Sequence, residues 1–205
     1  MKSIIRNSFI ALTLSLALIT SVWSETGLDT VKSSANPVVT IETSKGSIKV
    51  ELFQDKAPVS VKNFLTYLEE EAYNGTLFHR VIPGFMIQGG GFSPKWDKQP
   101  THAPIVNESD NGLKNKTGTL AMARTSDVNS ATSQFFINLV DNGFLDYTRN
   151  KYGYAVFAEV IEGMDVVKAI AKVKTTQKGR HGDVPVKDVL IIKMSIVEPE
   201  KPTEK

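Results

Sequence analysis

Short runs rich in β-branched and aromatic residues, each bounded by a turn signal, recur along most of the chain. Val38–Thr43 and Ser47–Phe53 are two such runs, and Ser44-Lys45-Gly46 between them marks a hairpin. Pro58 presets φ for a first helical turn, and Val61, Phe64, Leu65 and Leu68 then recur at helical spacing, which predicts a helix over 58–71 with one face turned inward. Asn74-Gly75 is a turn, and Leu77–Ile82 and Phe85–Gln88 read as strands joined by Pro83-Gly84. Strands are expected again at Thr119–Ala123, Gln134–Leu139, Ala155–Ile161 and Val189–Val197, and Met164, Val167 and Ile170 mark a second short helix. Residues 91–117 carry Pro, Gly, Asn and charges with few apolar anchors, the pattern of a long surface or functional loop.

Eight strands and two separated helices do not alternate as βαβ units would. Short connections favour an antiparallel sheet, and closing it removes the exposed edges. The expected class is mainly β: a closed eight-stranded antiparallel β-barrel capped by two α-helices. Side chains fill the interior of a barrel of that size, so a ligand must bind on the outer wall, and a carrier of apolar ligands is disfavoured.

The ends of the chain break the pattern. Lys2 and Arg6 precede an apolar run from Phe9 to Val22, and small residues flank Trp23. That is the layout of a secretory signal peptide, expected over residues 1–24, with cleavage after Ser24. Residues 25–36 and 198–205 are polar or Pro-rich and are expected as a disordered lead-in and tail around a domain at 37–197. The whole chain has 24 Lys plus Arg, 22 Asp plus Glu and a formal charge of +2, and losing Lys2 and Arg6 with the signal balances the charges. A neutral mature chain calls for no nucleic-acid partner and no stable membrane association. The absence of Cys excludes disulfides, a thiol nucleophile and a lipid-modified N-terminal Cys. The expected location is periplasmic, with secretion the alternative.

The chemistry concentrates in Phe78–Gly90, FHRVIPGFMIQGG, where one Arg sits among Phe, Met and Gln. GTLAMA from Gly118, SQFFI from Ser133, Phe144-Leu145-Asp146 and YAVFAEVIEGMDVV from Tyr154 follow in order. Over about residues 38–197 this series resembles the cyclophilin-type peptidyl-prolyl cis/trans isomerases. The resemblance implies proline-containing polypeptides as partners, no cofactor or metal, and a site on the barrel's outer face. It places Arg80 as the catalytic residue and Gln88 as the amide that holds this Arg and contacts substrate backbone. Phe85, Met86, Phe136 and Leu145 become the proline pocket, and Ala123 and Gln134 touch the peptide before the proline.

Three substrate-site positions depart from the family pattern. Phe144 stands where Trp is usual, which removes an indole donor and implies weak cyclosporin binding. Tyr154 stands where His is usual, and Arg124 replaces a common Asn. With the longer Tyr147–Tyr152 segment, this combination resembles the exported bacterial branch. A proline-peptide binding module or chaperone on the same fold is the alternative function. Other signals lead nowhere: Gly89-Gly90-Gly91 lacks the Lys-Ser/Thr of a phosphate loop and reads as a flexible strand exit, and His79, His102 and His181 lack metal-ligand spacing. His79 is expected to point into the barrel, hydrogen-bonded. Asn74, Asn107 and Asn115 begin glycosylation-type triplets.

Overall fold

The computed structural model describes residues 36–198; the expected signal peptide, nearly all of the lead-in and all of the tail but Glu198 lie outside it. Asn36, the described end of the lead-in, donates from Nδ2 to Glu51 Oε1 at 2.9 Å. Eight strands close into one antiparallel barrel. Strand β1 (Val38–Thr43) lies between β2 (Gly46–Leu52) and β10 (Leu190–Ile196). From β10 the wall continues through β3 (Thr76–Ile82), β4 (Met86–Gly89), β6 (Phe135–Asn138), β5 (Thr119–Met122) and β7 (Val156–Glu162) back to β2. Two strands outside the barrel, β8 (Thr175–Lys178) and β9 (His181–Pro185), form a hairpin that the sequence pattern did not mark.

Side-chain alternation decides what faces the lumen. Ile87, Leu120, Phe135 and Ile137 belong to the buried core together with Ile41, Ile48, Val50 and Phe157. Their strand neighbours Met86, Ala121, Phe136 and Val156 form a second apolar cluster with Leu145. That second cluster is the outer wall of β4, β5, β6 and β7. The filled lumen and the apolar outer wall are thus two faces of one pleat.

Helix α1 (Pro58–Glu69) inserts Val61, Phe64 and Leu68 into the main core, and α2 (Met164–Ala171) inserts Val167 and Ile170. Helix α1 stops two residues short of the expected end because Glu71 turns into the left-handed region at φ 55°. Its first turn lacks a capping side chain at Ala57, and the cap comes from the long loop instead. Glu108 Oε1 accepts Val59 N–H at 2.9 Å, and Oε2 accepts Ser60 N–H at 2.8 Å and Ser60 Oγ–H at 2.7 Å. Asn107 and Ser109 bond across to Val128, Asn129 and Gly153, so residues 105–111 are a fastened strap.

The glycines after β4 are packed, not loose. Gly90 takes φ 78°, and a Cβ at Gly91 would meet Gln134 Cδ at 2.5 Å. Close approach, more than flexibility, requires glycine here. Asn115, one of the triplet asparagines, is 2 % exposed, so folding hides it from modification.

Candidate functional site

Strand register assembles the site. Arg80 pairs with Gln88, Gln88 with Phe136, and Phe136 with Ala121, so alternate residues of β3, β4, β6 and β5 line up across the outer wall. A depression of about 390 Å³ on that wall is lined by Arg80, Phe85, Met86, Gln88, Ala123, Arg124, Phe136, Phe144, Leu145 and Tyr154. These are ten of the eleven residues expected to form the site. The eleventh, Gln134, lines two neighbouring grooves and touches the pocket through Gln88.

The floor is apolar: Met86, Phe136 and Leu145 are buried, and Phe85 packs against them. Phe144 is 64 % exposed and stacks on Phe85 with centroids 5.6 Å apart, forming an open rim. Tyr154 meets Phe136 edge-on at 5.6 Å. A cup of this kind accepts a small apolar ring and leaves the adjoining chain in solvent.

Beneath the rim lies a polar network that sequence reasoning missed. Asn142 Nδ2 donates to Phe85 O at 3.0 Å and to Asn138 Oδ1 at 2.8 Å, and Asn138 Nδ2 donates to Thr119 Oγ1 at 2.9 Å. Asp146 Oδ1 accepts Asn115 N–H at 2.7 Å, and Leu145 N–H reaches Asn142 O at 2.9 Å. The buried amides lock two pocket walls, Phe85 and Leu145, to the barrel. In sequence they look like turn residues, and nothing local distinguishes them.

Two cations border the pocket, and they differ in commitment. Arg124 donates from Nε to Gly153 O at 3.2 Å, from Nη1 to Thr125 O at 2.9 Å and from Nη2 to Tyr152 O at 3.1 Å. Its guanidinium also lies 4.7 Å from the Tyr154 ring centroid. Arg80 has one charged partner among the described residues, Asp183 of β9, at 3.7 Å from Nε, and no hydrogen-bonded carbonyl. Gln88, expected to hold Arg80, instead donates from Nε2 to Gln134 Oε1 at 2.8 Å. Cross-strand pairing sets Gln88 beside Arg80, but its amide is turned toward Gln134, just before β6.

His79 also departs from expectation. It is nearly enclosed, packs edge-on against Phe92 at 4.8 Å and lines a groove of about 420 Å³ on the other side of Arg80 with Phe92, Arg180, His181 and Asp183. A register shift between Phe78 and Arg80 turns it out of the lumen. Its Nδ1 has no hydrogen-bond partner, and burial pushes its pKa down to about 4. Among the described residues there is no cluster of His, Asp or Glu able to hold a metal ion, and no helix is long and apolar enough to cross a membrane.

A family model described as cyclophilin type peptidyl-prolyl cis-trans isomerase/CLD matches residues 38–196. The peptidyl-prolyl cis-trans isomerase of Acinetobacter baylyi is 56% identical over 162 residues, covering 79% of this chain and 86% of that protein. Peptidyl-prolyl cis-trans isomerase B of Escherichia coli is 55% identical over 164 residues, covering 78% of this chain and 100% of that protein. Among solved structures, a cyclophilin type peptidyl-prolyl cis-trans isomerase of Cryptosporidium parvum superposes with a TM-score of 0.67 at 27% identity, over 80% of this chain and 99% of that one. The same Cryptosporidium protein in the presence of the dipeptide Ala-Pro gives 0.66 at 28% identity, over 79% of this chain and 99% of that one.

Proposed function

The chain belongs to the cyclophilin-type peptidyl-prolyl cis-trans isomerases, and from that premise we propose that Arg80 supplies the catalysis, acting on X–Pro bonds of exported polypeptides as they fold. Rotation about a peptide C–N bond costs ~18–20 kcal/mol because resonance is lost. At the twisted midpoint the prolyl nitrogen recovers a lone pair and accepts a hydrogen bond it could not accept when planar. A guanidinium aimed at that nitrogen binds the twisted state more tightly than either planar isomer. Shortening an X–Pro lifetime from tens of seconds to milliseconds takes a factor of roughly 10⁴–10⁵, or about 5–7 kcal/mol. A positioned donor beside a ring-sized apolar cup is suited to that task, which needs no base, nucleophile or metal.

One observation carries the assignment to Arg80. Arg124 spends its N–H groups on three carbonyls, whereas Arg80 borders the same cup with no carbonyl bonded to it. Phe85, Met86, Phe136 and Leu145 would seat the proline ring, and Ala123, Gln134 and the fixed Arg124–Tyr154 pair would meet the residues before it. In a protease-coupled assay, Arg80→Ala should lower kcat/KM by about 10²–10³, the scale of losing an oxyanion-type donor, while peptide affinity changes little. Equal losses of turnover and affinity would favour the alternative, a proline-peptide binding module.

Export rests on the pattern of residues 1–24, and the periplasm is the compartment we assign, with secretion the alternative. Mass analysis of the protein from the cell envelope should find a chain beginning near Glu25. Cyclosporin should bind weakly, because Phe144 supplies a ring without an indole donor. Nanomolar affinity in a titration of the unmodified protein would contradict this.

A further inference from the structure

We propose that Asp183 is a positioning residue for Arg80, held in place by the β8–β9 hairpin. The proposal rests on the role given to Arg80 above. Asp183 Oδ2 lies 3.7 Å from Arg80 Nε, with both side chains 45% exposed. That separation is a Coulombic contact and too long for a hydrogen bond. It engages the inner nitrogen of the guanidinium, so both Nη groups stay available to a substrate. An Arg side chain has many rotamers open to it, and a fixed anion at its inner edge narrows the directions it samples.

The hairpin is built to deliver this carboxylate. Thr176 pairs with Val184 and Lys178 with His181, so Gly182 and Asp183 together oppose Gln177. The bulge falls on Asp183, whose φ is 59°, a left-handed conformation that Asp tolerates better than most residues. Bulges of this kind redirect a side chain at a sheet edge. The hairpin is also clamped to the 92–98 loop. His181 packs 5.5 Å from Phe92 and 5.4 Å from Trp96, and Lys178 Nζ lies 4.5 Å from the Trp96 ring centroid. Val186 N–H closes the hairpin base on Lys174 O at 2.8 Å. The strain, the register shift and the aromatic clamp thus converge on one anion beside Arg80.

Asp183→Asn and Asp183→Gly both tolerate the left-handed backbone and remove the charge, and Arg80→Ala runs beside them. At low salt each Asp183 variant should lose about two- to fivefold in kcat, the scale of a half-exposed ion pair, with KM within about twofold and the unfolding midpoint unchanged. The deficit should close near 1 M salt, where the screening length is about 3 Å, as wild-type kcat falls to meet the variants. The Arg80 Nε–H nuclear resonance should shift in both. Full kcat in the variants at low salt, with Arg80→Ala inactive, would overturn the role of Asp183 alone. A deficit independent of salt would also overturn it, since that marks a structural effect. If Arg80→Ala remains active, the reading of Arg80 fails and this one with it. Should either variant not fold, the wild-type salt profile decides, and a flat profile overturns the proposal.

Discussion

His79 and Arg80 are neighbours on β3, yet Arg80 is half-exposed while His79 is nearly enclosed. Burial disfavours the imidazolium, hydrogen bonding to the Leu77 backbone and the Gln134 side chain offsets part of that, His181 and Arg80 add smaller repulsions, and the His79 pKa falls from 6.5 to about 4. Between those two values the unfolded chain binds more protons than the folded one, so stability rises with pH across that window and is lost as pH falls from 6.5 toward 4. By pH ~4.5 the loss from this residue alone should be about 2–3 kcal/mol. Urea unfolding at pH ~7 and ~4.5 should show His79→Gln losing correspondingly less stability than the wild type on acidification. Equal losses in the two proteins would mean that His79 is not held neutral by burial. A neutral ring adds no repulsion to Arg80 at neutral pH.

At the scale of elements, the question is which segment fixes another. Helix α1 begins with Pro58 but has no capping side chain and no acid in its first turn. Glu108 supplies both from a distant loop, binding two free N–H groups and the Ser60 hydroxyl. Glu108→Ala should therefore cost about 1–2 kcal/mol in equilibrium unfolding, with Glu108→Gln recovering part. A loss no larger than that of a surface Glu→Ala change would remove the cap from the ledger. This contact also shows where reading the chain reaches its limit. The barrel strands were legible because Val, Ile and Phe at period two report burial locally. The site was legible only through the family resemblance that the FHRVIPGFMIQGG series carries; the fold sets Arg80, Met86 and Gln88 on two paired strands, with Phe85 just before the second. Glu108, Asp183 and the Asn115–Asn138–Asn142 network act across loops, and their partners have no neighbouring signal in sequence. Strand β8 has no apolar residue, and β9 has Val184 alone beside Pro185. The hairpin follows from tertiary docking on Phe92 and Trp96, not from propensity.

For the whole molecule, closure depends on the last strand. Strand β10 pairs with β1 on one side and β3 on the other, so the barrel has two open edges until residues 190–196 are in place. Ile191 and Met194 also complete the core around Ile41 and Phe78. The loop-closure entropy of joining the two ends of the chain is recovered only at that step. With no cysteine to staple an incomplete barrel, nothing covalent holds the open form. A chain ending at Asp188 should therefore fail to reach a cooperative folded state, showing broad urea transitions and binding of an apolar dye. A chain ending at Glu198 should unfold at the same urea concentration as the full protein. Cooperative unfolding of the shorter chain would show that β1 and β3 tolerate open edges, and that the barrel's stability resides in the two helices and the remaining seven strands.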